Sequence, residues 1–346
     1  MRCEALDYTK NRPSEAIRRR FRGPAVTIGV MFSYRHAFHA GNHADVLKHT
    51  VLIATLDHLL EKDAALTVVD THAGAGLYRL DGDYAGTSGE AADGVLRLLS
   101  DPKPAATEAN PGKGSAKKTA EKPPEPLSDA LSRYLEVIRD FNPKGGARIY
   151  PGSPFITHHL LRDHDKLKLF ELHPTDARTL DANIAQLEAG RQISVLRDDG
   201  FGSATKFLPP PSRRALVLCD PSYEIKSDYG RVLDFVAEAL KRFATGTYAV
   251  WYPIIPRPEA HDLPRRLKTM ATKAGKPWLH ATLTVKSSKI TTDATGATHR
   301  PGLPASGMFL INPPYTLKPL LAAALPQMAD RLGQDRNAAF SLDSGG

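Results

Sequence analysis

A doubly wound α/β fold on a mostly parallel sheet is what this sequence predicts, and three observations predict it. Short apolar runs over 65–70, 166–171, 193–199 and 215–220 each close on an acid, as buried strands do when they stop at the carboxyl edge of a sheet. Stretches with apolar residues three and four apart lie between them and read as helices. That alternation gives a parallel sheet covered on both faces. Two late strands, 281–286 and 307–312, flank a polar Thr/Gly/Ser loop and read as an antiparallel edge.

The 346 residues suffice for a large core in one or two domains. Apolar runs fall short of the ~18 residues of a membrane span, and residues 1–30 lack the apolar centre of a secretory leader. There are two cysteines, Cys3 and Cys219, and the second sits in a buried strand. A disulfide is therefore not expected, and a reducing cytoplasm is the expected location. The net charge of +8 points to an anionic partner. Its distribution weakens the point: +4 lies in residues 1–30, which contain Arg18, Arg19 and Arg20, and +1 lies in 101–128. Residues 1–30 read as an extension, either an RNA-binding arm or translated upstream sequence before a natural start at Met31.

Residues 31–77 carry an N-terminal motif, a first helix and a glycine-rich loop. The motif, 34–49, is dense in histidine. Asn42 is a natural N-cap, with Asp45 near the positive helix end. Val46, Leu47, Leu52, Leu56, Leu59 and Leu60 give a core-facing stripe. The histidines have no cysteine partner and no standard ligand spacing, so no metal is expected. Lys48 and His49 fit either an ordinary helix surface or a ligand-facing one. After the strand ending at Asp70, Gly74 and Gly76 let the backbone approach a ligand, and this turn resembles the first motif of S-adenosylmethionine (SAM) methyltransferases.

Residues 78–148 read as a helical insertion, with helices over 90–99 and 126–141 around a low-complexity loop, 101–124. The remainder of the α/β domain, 149–330, follows. Ser153 is a natural N-cap with Pro154 at the first helical position. Glu171 suits two ribose hydroxyls, and Asp199, before Gly200, can accept from an adenine amine. A helix over 229–245 ends at Gly246, read as its C′ residue; another spans about 261–274; residues 331–346 read as a tail.

Asp220, Pro221, Ser222 and Tyr223 close the fourth strand, one residue off the Asp-Pro-Pro-Tyr signature of methyltransferases acting on exocyclic amines. Asn312, Pro313, Pro314 and Tyr315 spell that signature better but end the last strand. Order favours Asp220, which follows the strands ending in Asp70, Glu171 and Asp199. An adenine amine is a weak nucleophile. A carboxylate at Asp220 and the Pro221 carbonyl could accept its two N–H groups and stabilise the positive charge that grows on nitrogen. Tyr223 could stack on the base, a contact worth ~1–3 kcal/mol.

With these residues in view, the chain resembles the RlmJ family, bacterial methyltransferases acting on the N6 of one adenine in 23S ribosomal RNA. The stretch 34–49, Asp-Thr-His-Ala-Gly-Ala-Gly (70–76), Tyr-Pro-Gly-Ser-Pro (150–154), Glu-Leu-His-Pro (171–174) and 241–249 carry the resemblance. It implies a Rossmann-like class I fold and SAM as cofactor, held by His49, His72, Ser153, Glu171, Asp199 and Gly200, with Lys48 a further candidate. It implies Asp220 as catalytic acceptor and Tyr34 on the substrate side. The expected partner is 23S rRNA, protein-free or early in assembly, met by a monomer away from membranes. Family members begin near the position of Met31, which favours the upstream-sequence reading of 1–30. An amine methyltransferase acting on DNA or protein glutamine, or an RNA-binding homologue without activity, are the alternatives; Ser222 motivates the last.

Overall fold

The computed structural model describes residues 39–80, 90–100, 126–289, 291–292, 298–299 and 302–346. Tyr34, the 1–30 extension and the 101–124 loop lie outside the described residues. In chain order the elements are α1 (His43–Leu59), β1 (Thr67–Asp70), β2 (Leu77–Arg79), α2 (Val95–Leu99), α3 (Asp129–Asp140), β3 (Ile149–Pro151), α4 (Ser153–Leu160), β4 (Lys166–Phe170), α5 (Pro174–Ala185), β5 (Ile193–Leu196) and α6 (Gly200–Ser203). Then follow β6 (Ala215–Cys219), α7 (Ser227–Arg242), β7 (Thr247–Ile254), α8 (Pro258–Lys273), β8 (Trp278–Thr284), β9 (Thr291–Thr292), β10 (Thr298–His299), β11 (Ala305–Ile311), α9 (Leu317–Leu332) and β12 (Ala339–Gly345).

One eight-stranded sheet runs in the order β12-β8-β11-β7-β6-β1-β4-β5. Strands β5, β4, β1, β6 and β7 pair in parallel, so their carboxyl ends share one edge. The strand order turns at β1, where chain continues to β4 on one side and β6 on the other, and the crevice at such a switch is where α/β sheets bind ligands. This is the doubly wound, mostly parallel sheet that the sequence predicts.

Strand pairing departs from the sequence reading at the far side. β11 inserts antiparallel between β7 and β8, so β8 runs with the parallel set. β12 then pairs antiparallel with β8, so 331–346 contributes the end of α9 and the outer strand of the sheet rather than a tail. Alternation within each strand is local, whereas the neighbour of an edge strand is set by packing of distant segments.

The inserted helix α3 buries Leu131, Tyr134, Leu135 and Ile138 in the same core as Leu47, Val51 and Leu52 of α1 and Leu321 and Met328 of α9. α1 is buried around most of its circumference rather than along one stripe, because α3, α4, α9 and the sheet surround it. Its cap is as the sequence predicts: Asn42 Oδ1 accepts from the Ala44 and Asp45 N–H groups, both at 3.0 Å. α7 ends at Arg242, so Gly246 is not its C′ residue; it sits in the turn into β7, against Phe243 and Tyr248. No helix among the described residues is long and apolar enough to cross a membrane.

Candidate functional site

Four loops meet at the carboxyl edge and are bonded to one another. The Thr71 N–H donates to Leu218 O at 3.0 Å, and the Ala73 N–H to Phe170 O at 2.8 Å. The Gly74 N–H donates to Glu171 Oε2 at 2.8 Å, and the His173 N–H to Glu171 Oε1 at 2.7 Å. Gly74 has φ +61°, and a Cβ there would lie 2.5 Å from the Tyr78 hydroxyl, so only glycine fits the turn. Glu171 thus shapes the glycine loop. Asp199 caps α6 through Oδ1, which accepts from the Phe201 N–H at 3.1 Å, and pairs through Oδ2 with Arg231 at 2.5 Å. The Arg231 guanidinium lies 4.5 Å from the Phe201 ring centre, and the His72 ring meets the same phenyl edge-on.

The sequence assigned Ser153 to a helix cap. Gly152 occupies that position, and the Ser153 hydroxyl instead donates to Asp70 Oδ2 at 2.7 Å. Asp70 is buried at the end of β1, and burial pushes its carboxyl up to about 6, although the Ser153 hydroxyl and the His72 N–H stabilise the charge.

The catalytic candidate lies one strand away. Asp220 Oδ2 meets Lys48 Nζ at 2.5 Å, and the same ammonium meets Asp45 Oδ1 at 2.8 Å. Lys48, expected on the cofactor side, therefore lies between two carboxylates. The sequence reading missed Asp45 as its partner; the i,i+3 spacing on α1 was the available signal. Burial opposes the Lys48 charge, but Asp220 and Asp45 outweigh it and hold the amine protonated well above its ordinary range. Burial alone would raise the Asp45 carboxyl, yet Lys48 and His49 bring it down to about 2. The Gly41 N–H adds a bond to Asp45 at 2.9 Å, which fixes the carboxylate in place.

Tyr223 does not present an open stacking face. Its ring is 2% exposed, packed on Tyr229 and Trp251, and its hydroxyl donates to Trp251 O at 2.7 Å. Its φ of +53° is a strained value for a bulky residue, held by those contacts and by Arg257, which donates to its carbonyl at 3.1 Å. Pro221 is buried and Ser222 exposed, so the departure from the signature falls on a solvent-facing position. The competing Asn312 is at the opposite edge: β11 ends beside the start of β7, and the Asn312 amide donates to Ala244 O and Gly246 O.

His49 Nδ1 lies 2.7 Å from the Tyr150 hydroxyl, which contacts the Tyr134 hydroxyl at 3.2 Å; His49 Nε2 is buried with no partner among the described residues. Burial pushes the imidazoles of His49 and His43 down to about 3 and about 4. Both are neutral when folded and take a proton on unfolding below about 6.5, so their contribution is complete above pH 6.5 and falls as the pH drops. At pH 5 each costs about 2 kcal/mol. Asp70 acts in the opposite sense, because the fold holds its proton up to about pH 6, which returns about 1 kcal/mol at pH 5. His72, whose imidazole burial also pushes down to about 3, acts in the same sense as His49 and His43, so the histidines outweigh Asp70 and melts should show a lower Tm at pH 5.0 than at pH 7.5; an unchanged Tm would contradict this.

No cluster of His, Cys, Asp or Glu among the described residues could hold a metal ion. The residues do fit an adenosyl cofactor. Glu171 and Asp199 offer carboxylate acceptors at the ends of β4 and β5, Gly200 lets the loop after β5 close on the Thr71 backbone beside them, and the buried His49 Nε2 has no partner among the described residues.

Comparison with known proteins follows the same line. The family model RsmJ, described as ribosomal RNA large subunit methyltransferase D, RlmJ, matches residues 63–343. A protein of Escherichia coli (strain K12) named ribosomal RNA large subunit methyltransferase J is 40% identical over 302 residues, covering 87% of this chain and 94% of that one. Its namesake in Haemophilus influenzae is 36% identical over 314 residues, covering 90% and 98%. A crystal structure of a Legionella pneumophila protein, 28% identical, superposes with a TM-score of 0.72 over 89% of this chain and 99% of that one.

Proposed function

The chain belongs to the RlmJ family of ribosomal RNA large subunit methyltransferases, and on that premise we propose that it methylates the N6 of one specific adenine in 23S rRNA. The observation that carries the chemistry is the half-buried Asp45–Lys48–Asp220 pairing at the end of β6, next to the glycine loop of β1. SAM, when bound, supplies an electrophilic methyl group. Glu171 takes the ribose hydroxyls, Asp199 with Gly200 the adenine end, and His49, His72 and Ser153 line the remainder. Lys48 and the Asp45 behind it fix the Asp220 carboxylate so that it can accept one N–H of the target amine while the Pro221 carbonyl accepts the other. These acceptors stabilise the charge that develops on nitrogen. Tyr223, with Trp251 behind it, holds that loop in its strained form.

Incubation with labelled SAM and protein-free 23S rRNA, in competition with DNA and bulk protein, tests the substrate class. Label in RNA alone is expected; label in DNA or protein instead would overturn the reading. Glu171→Ala should weaken equilibrium SAM binding at least tenfold, since hydrogen bonds to a charged group are worth about 1.5–3 kcal/mol. Wild-type affinity in that variant would remove Glu171 from the cofactor site.

A further inference from the structure

We propose that the groove between α7 and α8 is a second RNA-contact surface, along which the phosphodiester backbone of the substrate runs away from the catalytic mouth. The proposal rests on the reading of the protein as an rRNA methyltransferase. It concerns a surface outside the site described above.

Both helices begin at that mouth. α7 starts seven residues after Asp220, and α8 starts directly after Arg257, whose guanidinium holds the Tyr223 carbonyl. Each has 16 residues, so the channel between them extends for about 24 Å toward the opposite edge of the sheet. Part-way along lies a concavity of about 880 Å³, floored by Leu240 and Met270. Lys241 stands on the α7 wall, and Arg265, Arg266 and Lys273 on the α8 wall. The single carboxylate of the lining, Asp262, is already bonded by Arg265 at 3.0 Å. Lys241, Arg266 and Lys273 are exposed and have no ion pair among the described residues.

Cations on two facing walls above an apolar floor suit a polyanionic strand better than an isolated anion, because successive phosphates can be neutralised along one path. Glu238 on the same helix bonds Arg242 at 2.6 Å, which neutralises most of the field its carboxylate casts on Lys241. Such contacts carry no sequence information; they fix register and add affinity. The groove thus acts on binding, and the loops at the sheet edge act on the methyl transfer.

The test is a titration of a fluorescein-labelled fragment of protein-free 23S rRNA with the full chain at several salt concentrations. K241E/R266E/K273E should weaken binding at least tenfold at about 0.1 M salt, and lower the log–log salt slope by about 2, near 0.7 per lost contact. SAM affinity and kcat at saturating RNA should stay at wild-type values, with the loss in KM. K144E/K318E/R336E makes the same change in net charge at exposed positions elsewhere and should cost less than threefold. Wild-type affinity and slope in the groove variant, or an equal loss in the control, would overturn the proposal. Binding is read without turnover, so a wild-type protein that binds RNA but transfers no methyl would overturn the enzymatic reading while the groove comparison still stands.

Discussion

Asp220→Asn should lose about two to three orders of magnitude in kcat while binding SAM within a few-fold of the wild type. The amide keeps the shape of the side chain, but its one oxygen is drawn to the Lys48 ammonium, which leaves its NH2 where the second carboxylate oxygen stood, and it removes the negative charge that balances the developing cation. Loss of one preorganised charge-stabilising group typically costs about 3–4 kcal/mol of transition-state stabilisation. The substitution is suited to this test because the half-buried ammonium keeps a partner. Lys48 Nζ still has Asp45 Oδ1 at 2.8 Å, so an unpaired charge is not left in the interior. A fall in SAM affinity equal to the fall in rate would mean that the variant had disturbed the pocket. Unchanged turnover would mean that Asp220 is not the acceptor.

Gly200→Ala should cost more than an ordinary crowding substitution. A Cβ at Gly200 would lie 2.0 Å from the Thr71 carbonyl oxygen and 2.8 Å from its carbon. These are backbone atoms that cannot rotate aside. Thr71 is itself tied to β6, with both its N–H and its hydroxyl donating to Leu218 O. Relief therefore requires separating the loop after β5 from the loop after β1, the two that carry Asp199 and the glycine turn. Overpacking in a core costs about 1–3 kcal/mol even where side chains can yield. The expected result is a loss at or above the top of that range, with SAM affinity reduced at least tenfold. Gly202→Ala is the matched control: its Cβ would meet nothing closer than Asp199 Oδ2 at 3.5 Å, and its stability should stay within about 0.5 kcal/mol of the wild type. Equal behaviour of the two variants would contradict the close-approach account.

The acidic strand ends were legible because each is a local pattern: an apolar run, then a carboxylate. That pattern located Asp70, Glu171, Asp199 and Asp220 on one edge, and chain order alone set aside Asn312. What was not legible depends on contacts between distant segments. Lys48 and Asp220 are 172 residues apart, and no periodicity of α1 announces that its lysine reaches the end of β6. The Ser153 hydroxyl looked like a cap from its neighbours and is instead committed to a buried carboxylate 83 residues away. Tyr223 reads as a stacking residue from its motif, yet its ring closes against Trp251, which sits on the adjacent strand. The insertion of β11 between β7 and β8 was hidden for the same reason. Alternation predicts that a strand exists, while its neighbours are chosen by the helices that cover the sheet.

If the loop at Asp220 methylates one adenine N6 in 23S rRNA, as proposed, the product is a single modified nucleoside. The most direct measurement is mass-spectrometric mapping of nucleosides and fragments from protein-free 23S rRNA after reaction with SAM and the wild-type chain, beside Asp220→Asn. One N6-methyladenosine at a single position is expected, with the variant depleted in proportion to its kcat. A methyl group on any other nucleoside atom, or equal product from the variant, would contradict it.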